Sequence, residues 1–473
     1  NTGAHPGWNQ AWRAPLRQAL NDLRDELAAR YEAAATDLLH DPWEARNDYI
    51  DVILHPEDAA IDAFLREHAA VALTDAPAVS RTLKLLEMQR QAVLMFASCA
   101  WFYDDISGIE SVQGMLHAGR AIQLAEDLFG PGFEAPFLAQ LAEAKSNIPE
   151  QRDGARAFQR YVLSAEVDLE RVASHFAISS LFRDYESETR IGTYVVRRSD
   201  YELKESGKAK LAYGRSDVVD VSVRETASFS FAALHLGDQN IAGGVSVTNE
   251  TNGFEAKTRD LAAAFDGGDM TEVIRLIDSG FPGPPFTLRA LFRDEQRRIV
   301  GHILAPVRDE AETAYRRLYE SHISLLRFLV ALDYPIPNRL RMAVQFALDI
   351  GLRHIFEEEE VDAARVRNVL EEAKLAGVHL ESSTLTFVAQ ERLDGLAVAF
   401  SASPFDAGAR ARFRSMAELV PEMGLDLNLW RSQNLFYAVL SKRAVGNCAT
   451  SKAGIPCRRK SARTSRRSAG RCG

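Results

Sequence analysis

At 473 residues and a net charge of −10, the chain has room for roughly two to four domains and a sizeable core. Its 46% hydrophobic and 26% charged content is that of an ordinary globular protein, and no run of eighteen apolar residues offers a membrane span. The acidic balance argues against nucleic acid as a partner and suits neutral or cationic ligands.

The chain opens on Asn1 with no charged, apolar and small-residue leader, the pattern of a processed or truncated chain. Helical spacing dominates residues 1–184. Pro15 stands where a first turn tolerates it, and Leu16, Leu20, Leu23 and Leu27 follow at helical intervals. His55-Pro56 opens another helix through Ile61, Phe64 and Leu65. Leu85, Met88, Ala92, Met95, Cys99 and Phe102 then form a 3-4-3-4-3 stripe, and Ala92 to Tyr103 carries no charge. That run predicts a helix buried all round. It leads straight into Trp101-Phe102-Tyr103-Asp104-Asp105. After Gly108 a new helix begins near Glu110, with Gly114, Ala118, Ala121 and Ala125 as a small-residue face and Gly130-Pro131-Gly132 as its stop.

From 185 to 254 the period changes from 3.6 to 2. Thr193–Val196, Ala209–Tyr213, Val218–Val223 and Phe229–Leu234 read as short strands of an antiparallel meander, with turns at Glu205–Lys208, Gly214–Asp217 and Gly237-Asp238. Helix returns over 255–445, broken by Phe281–Pro285, with Thr287 as an N-cap. The last stretch, 446–473, holds Arg458-Arg459-Lys460 and Arg466-Arg467 and no acid, and reads as a disordered or artefactual tail. The fold class expected is mainly α (α+β), with helical bundle portions flanking a small meander.

Only Cys99 lies in the body; Cys448, Cys457 and Cys472 crowd the tail at spacings that match no zinc pattern. A reducing, cytoplasmic setting is the expectation, with no metal and no cofactor. No glycine-rich phosphate loop and no Gly-x-Ser-x-Gly elbow occurs, so no complete catalytic set is visible. His235–Asn240 reads as a turn, and His354 with Glu357 as a surface pair.

The chemistry concentrates at Trp101, Phe102, Asp104, Asp105 and Glu110. Folding gains nothing from burying adjacent acids without partners. Aromatic faces stack on the apolar side of a pyranose while carboxylates accept from its hydroxyls, which makes this a candidate sugar-binding segment. Adjacent aspartates on a helix diverge by about 100°, so Asp104 and Asp105 do not form a catalytic pair.

His5-Pro6-Gly7-Trp8-Asn9-Gln10, Trp12-Arg13, Ser98 to Glu110, Leu234–Asp238 and Leu429–Asn434 together resemble domain of unknown function 3536 over about residues 1–441. Ala100 stands where that pattern has Gly. The region follows the catalytic barrel in proteins like glycoside hydrolase family 57. The resemblance implies an α-glucan or oligosaccharide substrate and a retaining mechanism. It also implies a Glu nucleophile and an Asp acid/base in an N-terminal barrel that this chain lacks. No catalytic residue is therefore expected here, and this chain alone is expected to be inactive. Its expected partners are that barrel and the glucan, with Trp101, Phe102, Asp104, Asp105 and Glu110 lining the cleft. The alternative is a structural module with no sugar contact.

Overall fold

The computed structural model describes residues 5–248, 253–282, 287–380 and 383–452, the stretch from 442 by its backbone alone. Within them 63% of residues are helical, in 16 helices beside one five-stranded antiparallel sheet, a mainly α (α+β) architecture. The chain divides after Ile303 into two compact units.

The first unit begins with eight helices: α1 Arg13–Ala35, α2 Pro42–Leu54, α3 Asp58–His68, α4 Ala76–Leu94, α5 Ile109–Phe129, α6 Glu134–Leu141, α7 Gly154–Tyr161 and α8 Leu169–Ser179. Leu16, Leu20, Leu23 and Leu27 are buried along α1 as their spacing requires. Asp41 and Asp75 cap α2 and α4 by accepting backbone N–H bonds, each ahead of a proline in the first turn. The small face of α5 lets its neighbour close in: a Cβ on Gly114 would lie 3.1 Å from the Ala100 methyl and 3.2 Å from the Met95 carbonyl. Beyond α5, the Glu126 carboxylate accepts from the backbone N–H groups of Gly132, Phe133 and Glu134.

The meander follows as β1 Glu188–Ile191, β2 Tyr194–Ser206, β3 Ala209–Asp220, β4 Glu225–His235 and β5 Ile241–Val247, paired in chain order. Period-2 burial separates its faces. Phe229, Phe231 and Ala233 pack with Phe176 and Ile178 of α8. Ala232 and Leu234 pack with two later helices, α9 Phe254–Asp266 and α10 Met270–Gly280. One expected turn is absent. Gly214–Asp217 lies inside β3, which runs unbroken opposite β4. The glycine is there for space, because a Cβ on Gly214 would stand 3.0 Å from the Tyr201 Cα and 3.3 Å from the Phe231 ring. The expected turns at Gly207 and Gly237 are present, both glycines with positive φ.

Helix α11, Arg293–Ala331, carries the chain into the second unit. There α12 Asn338–Glu357, α13 Ala363–Leu375, α14 Ser383–Ala402, α15 Ala407–Met423 and α16 Trp430–Lys452 surround a core that includes Leu352, Phe356, Leu385, Leu393 and Leu419. Pro284 and Pro285 and the tail from 453 onward lie outside the described residues.

Candidate functional site

The charge-free run is not a buried helix. Helix α4 ends at Leu94, and after a turn the chain forms a short 3₁₀ turn, Ser98–Trp101. Met95 and Ala100 are buried, but Ser98 and Cys99 are exposed, so the predicted stripe stops at Met95. Lack of charge in a sequence cannot separate a sealed rod from a tight loop tethered at both ends. Here Ala100 seats against Gly114, and the Ser111 hydroxyl donates to the Ala100 carbonyl at 3.0 Å.

Asp105 is the tether at the other end. It is buried, and its carboxylate accepts from Ser107 N (2.9 Å), Ser107 Oγ (2.6 Å), Ser146 Oγ (2.9 Å) and Asn147 N. Four donors satisfy a charge that burial alone would penalise by several kcal/mol. Asn147 extends the clamp: its Nδ2 donates to the Asp104 carbonyl at 2.7 Å and to the Asn9 carbonyl at 2.8 Å. Arg13 Nη2 donates to the Tyr103 carbonyl at 3.2 Å. Asp105 is thus spent on holding the loop and has little left for a ligand.

The side chains this clamp displays are different ones. Phe102 is 74% exposed and Tyr103 50%. Trp101 is half-buried against the core that includes Leu16, Leu20, Leu27 and Met88, with the Arg17 guanidinium 5.5 Å from its ring centroid and its Nε1–H buried without a hydrogen-bond partner among the described residues. Asp104 and Glu110 are half-buried, and neither carboxylate has a hydrogen bond or ion pair among the described residues. Of the acids singled out from the sequence, Asp105 is held by its own chain, and Asp104 and Glu110 are the ones left without such partners among the described residues.

Sequence reasoning missed a second feature of this unit, a cavity of about 380 Å³ between α4, α5, the segment before α8 and the β3–β4 turn, in which charged and polar groups stand among apolar walls. Glu87, Arg90, Gln91, Arg120, Tyr194 and Asp220 line it. Arg90 Nη1 donates to both Glu87 oxygens at 3.1 Å, and Gln91 Nε2 to Oε1 at 2.6 Å. Asp220 accepts from Ser222 N at 2.9 Å and stands 3.4 Å from Arg120 Nη2. Burial, then the Asp220 charge, pushes the Tyr194 phenol up to about 12. His117 shares a 2.7 Å hydrogen bond with Gln91, and burial followed by the Arg90 charge lowers its pKa. The available signal was the polar cluster Glu87, Gln89, Arg90 and Gln91 set among Leu85, Leu86, Met88, Ala92 and Val93 of α4. Asp220 gave none.

The other motifs are structural. His235 Nε2 meets the Asp238 carbonyl at 2.9 Å inside its turn, and His354 faces Arg316 rather than Glu357. Among the described residues no group of three His, Cys, Asp or Glu side chains suits a metal, and no helix is long and apolar enough to cross a membrane.

Compared with known families, residues 8–292 match the family described as a domain of unknown function, DUF3536. The chain belongs to the DUF3536 family. The match takes in the clamped loop, the cavity and the whole meander, and ends at the residue before α11. No curated protein and no solved structure matches the chain.

Proposed function

We propose that this DUF3536 chain is the non-catalytic C-terminal portion of a cytoplasmic, family 57-like enzyme acting on α-glucans. In this reading the loop Trp101–Asp104 walls the substrate cleft of a catalytic barrel that the chain does not contain. The observation that carries it is the display of Phe102 and Tyr103 to solvent on a loop locked from behind by Asp105, next in sequence to two carboxylates without partners among the described residues, Asp104 on the loop and Glu110 in the first turn of α5. A folding core gains nothing from exposing a phenylalanine on a pinned loop. A sugar gains a stacking surface and acceptors held in place before binding.

The supporting experiment titrates the purified chain with maltoheptaose by calorimetry. Phe102→Ala and Tyr103→Ala are each expected to weaken binding about fivefold, the worth of one aromatic stack. Both side chains are exposed, so folding should be unaffected. Equal affinity in both variants and wild type would sink the site assignment. A second reading, a module that props a partner and touches no sugar, draws on the full engagement of Asp105 by its own chain. Under it, maltoheptaose gives no heat at all.

A further inference from the structure

Helix α11 carries an apolar seam that none of the described residues covers. From Leu304 onward, Val307, Ala311, Ala314 and Leu318 recur at alternating intervals of three and four, and Ser321, Leu325 and Phe328 continue the pattern. Such a repeat, held for more than three heptads, is the signature of a coiled-coil face. All eight residues are exposed, the large ones from 37% to 58%. A different face of the helix is already occupied within the unit. Glu312 there pairs with Arg353 at 2.8 Å, Tyr319 donates to Glu372, and Leu326 enters the core. Pro306, the proline inside α11, lies off the seam.

We propose that this seam is a homodimer interface, in which α11 of a second copy of this chain packs antiparallel. The commitment to a second copy rests on self-complementarity. With the two-fold axis between Glu312 and Thr313, Ala311 of one copy faces Ala314 of the other, and Leu318 faces Val307. The paired alanines let the helices approach closely at the centre, and the leucine–valine layers seal either side. The same register sets Glu310 across from Arg317, twice, at the flanking positions that select partner and orientation. Neither residue has an ion-pair partner among the described residues, so both charges are free for that role. A parallel pairing sets Glu310 against Tyr315 and Arg317 against His322 and has no such complement. The six central layers, Leu304 to Ser321, span about 26 Å of helix.

Sedimentation equilibrium on the whole chain tests the proposal. Wild type should be a dimer at micromolar concentration, and Leu318→Glu should be monomeric with an unchanged thermal melt. Glu310→Arg should weaken association about tenfold through two like-charge contacts, and Glu310→Arg combined with Arg317→Glu should restore it. A monomer at all concentrations overturns the proposal, as does a dimer indifferent to Leu318→Glu. Failure of the double charge reversal to rescue the single one overturns the antiparallel pairing.

Discussion

His175 on α8 is buried, its Nδ1 accepting the Phe292 backbone N–H at 3.1 Å while the Phe292 ring stacks on it at 4.3 Å. Accepting that bond requires a ring nitrogen without a proton. Burial, aided by the Arg171 charge and opposed by Glu295, pulls the pKa from 6.5 down to about 4. Because the folded value is depressed, the unfolded chain takes up the proton first. The stabilisation is therefore complete above pH 6.5 and is lost as pH falls toward 4, by an amount on the order of 3 kcal/mol. His175→Gln keeps an acceptor but does not titrate. Its melting temperature should fall less steeply than that of wild type between pH 6.5 and 4, and parallel curves would dismiss this account. The same scale explains what was hidden at the loop. Asn147 and Ser146, two of the residues that hold Asp105, lie some forty residues away and carry no signature of the contact.

Among the elements, those with one periodic face were legible. The leucines of α1, the Gly/Ala face of α5 and the alternating strands of the meander each have a spacing that allows one arrangement. Glycines were read less well, because a glycine needed for a turn and one needed for room look identical in sequence. Gly214 is the second kind, and so is Gly244 on β5, whose neighbour pair Gly-Gly lacked any phosphate-loop context. A Cβ on Gly244 would lie 2.1 Å from the Phe281 carbonyl oxygen at the end of α10. Gly244→Ala must push α10 off the sheet, and should cost about 1–3 kcal/mol in urea unfolding. An unchanged midpoint would mean the end of α10 yields freely. The charge-free run ahead of the aromatic loop was misread for a related reason: apolar residues seal a helix or fasten a loop with equal ease.

Across the whole molecule, the division after Ile303 gives each unit its own buried core. Separate cores predict separable unfolding. Phe231→Ala, in the sheet core of the first unit, and Leu393→Ala, in the core of the second, each remove a fully buried side chain and should each cost about 3–5 kcal/mol. In scanning calorimetry each should lower a different transition. A single endotherm lowered by both would show that the units melt together. The family match stops at 292, so it speaks for the first unit alone.

The clamp at Asp105 has one more implication. The Asn147 amide hydrogen ends on that carboxylate, so it can exchange with solvent only when the aromatic loop lets go. Its deuterium uptake is a built-in clock for loop release, ticking slower whenever something outside holds the loop still.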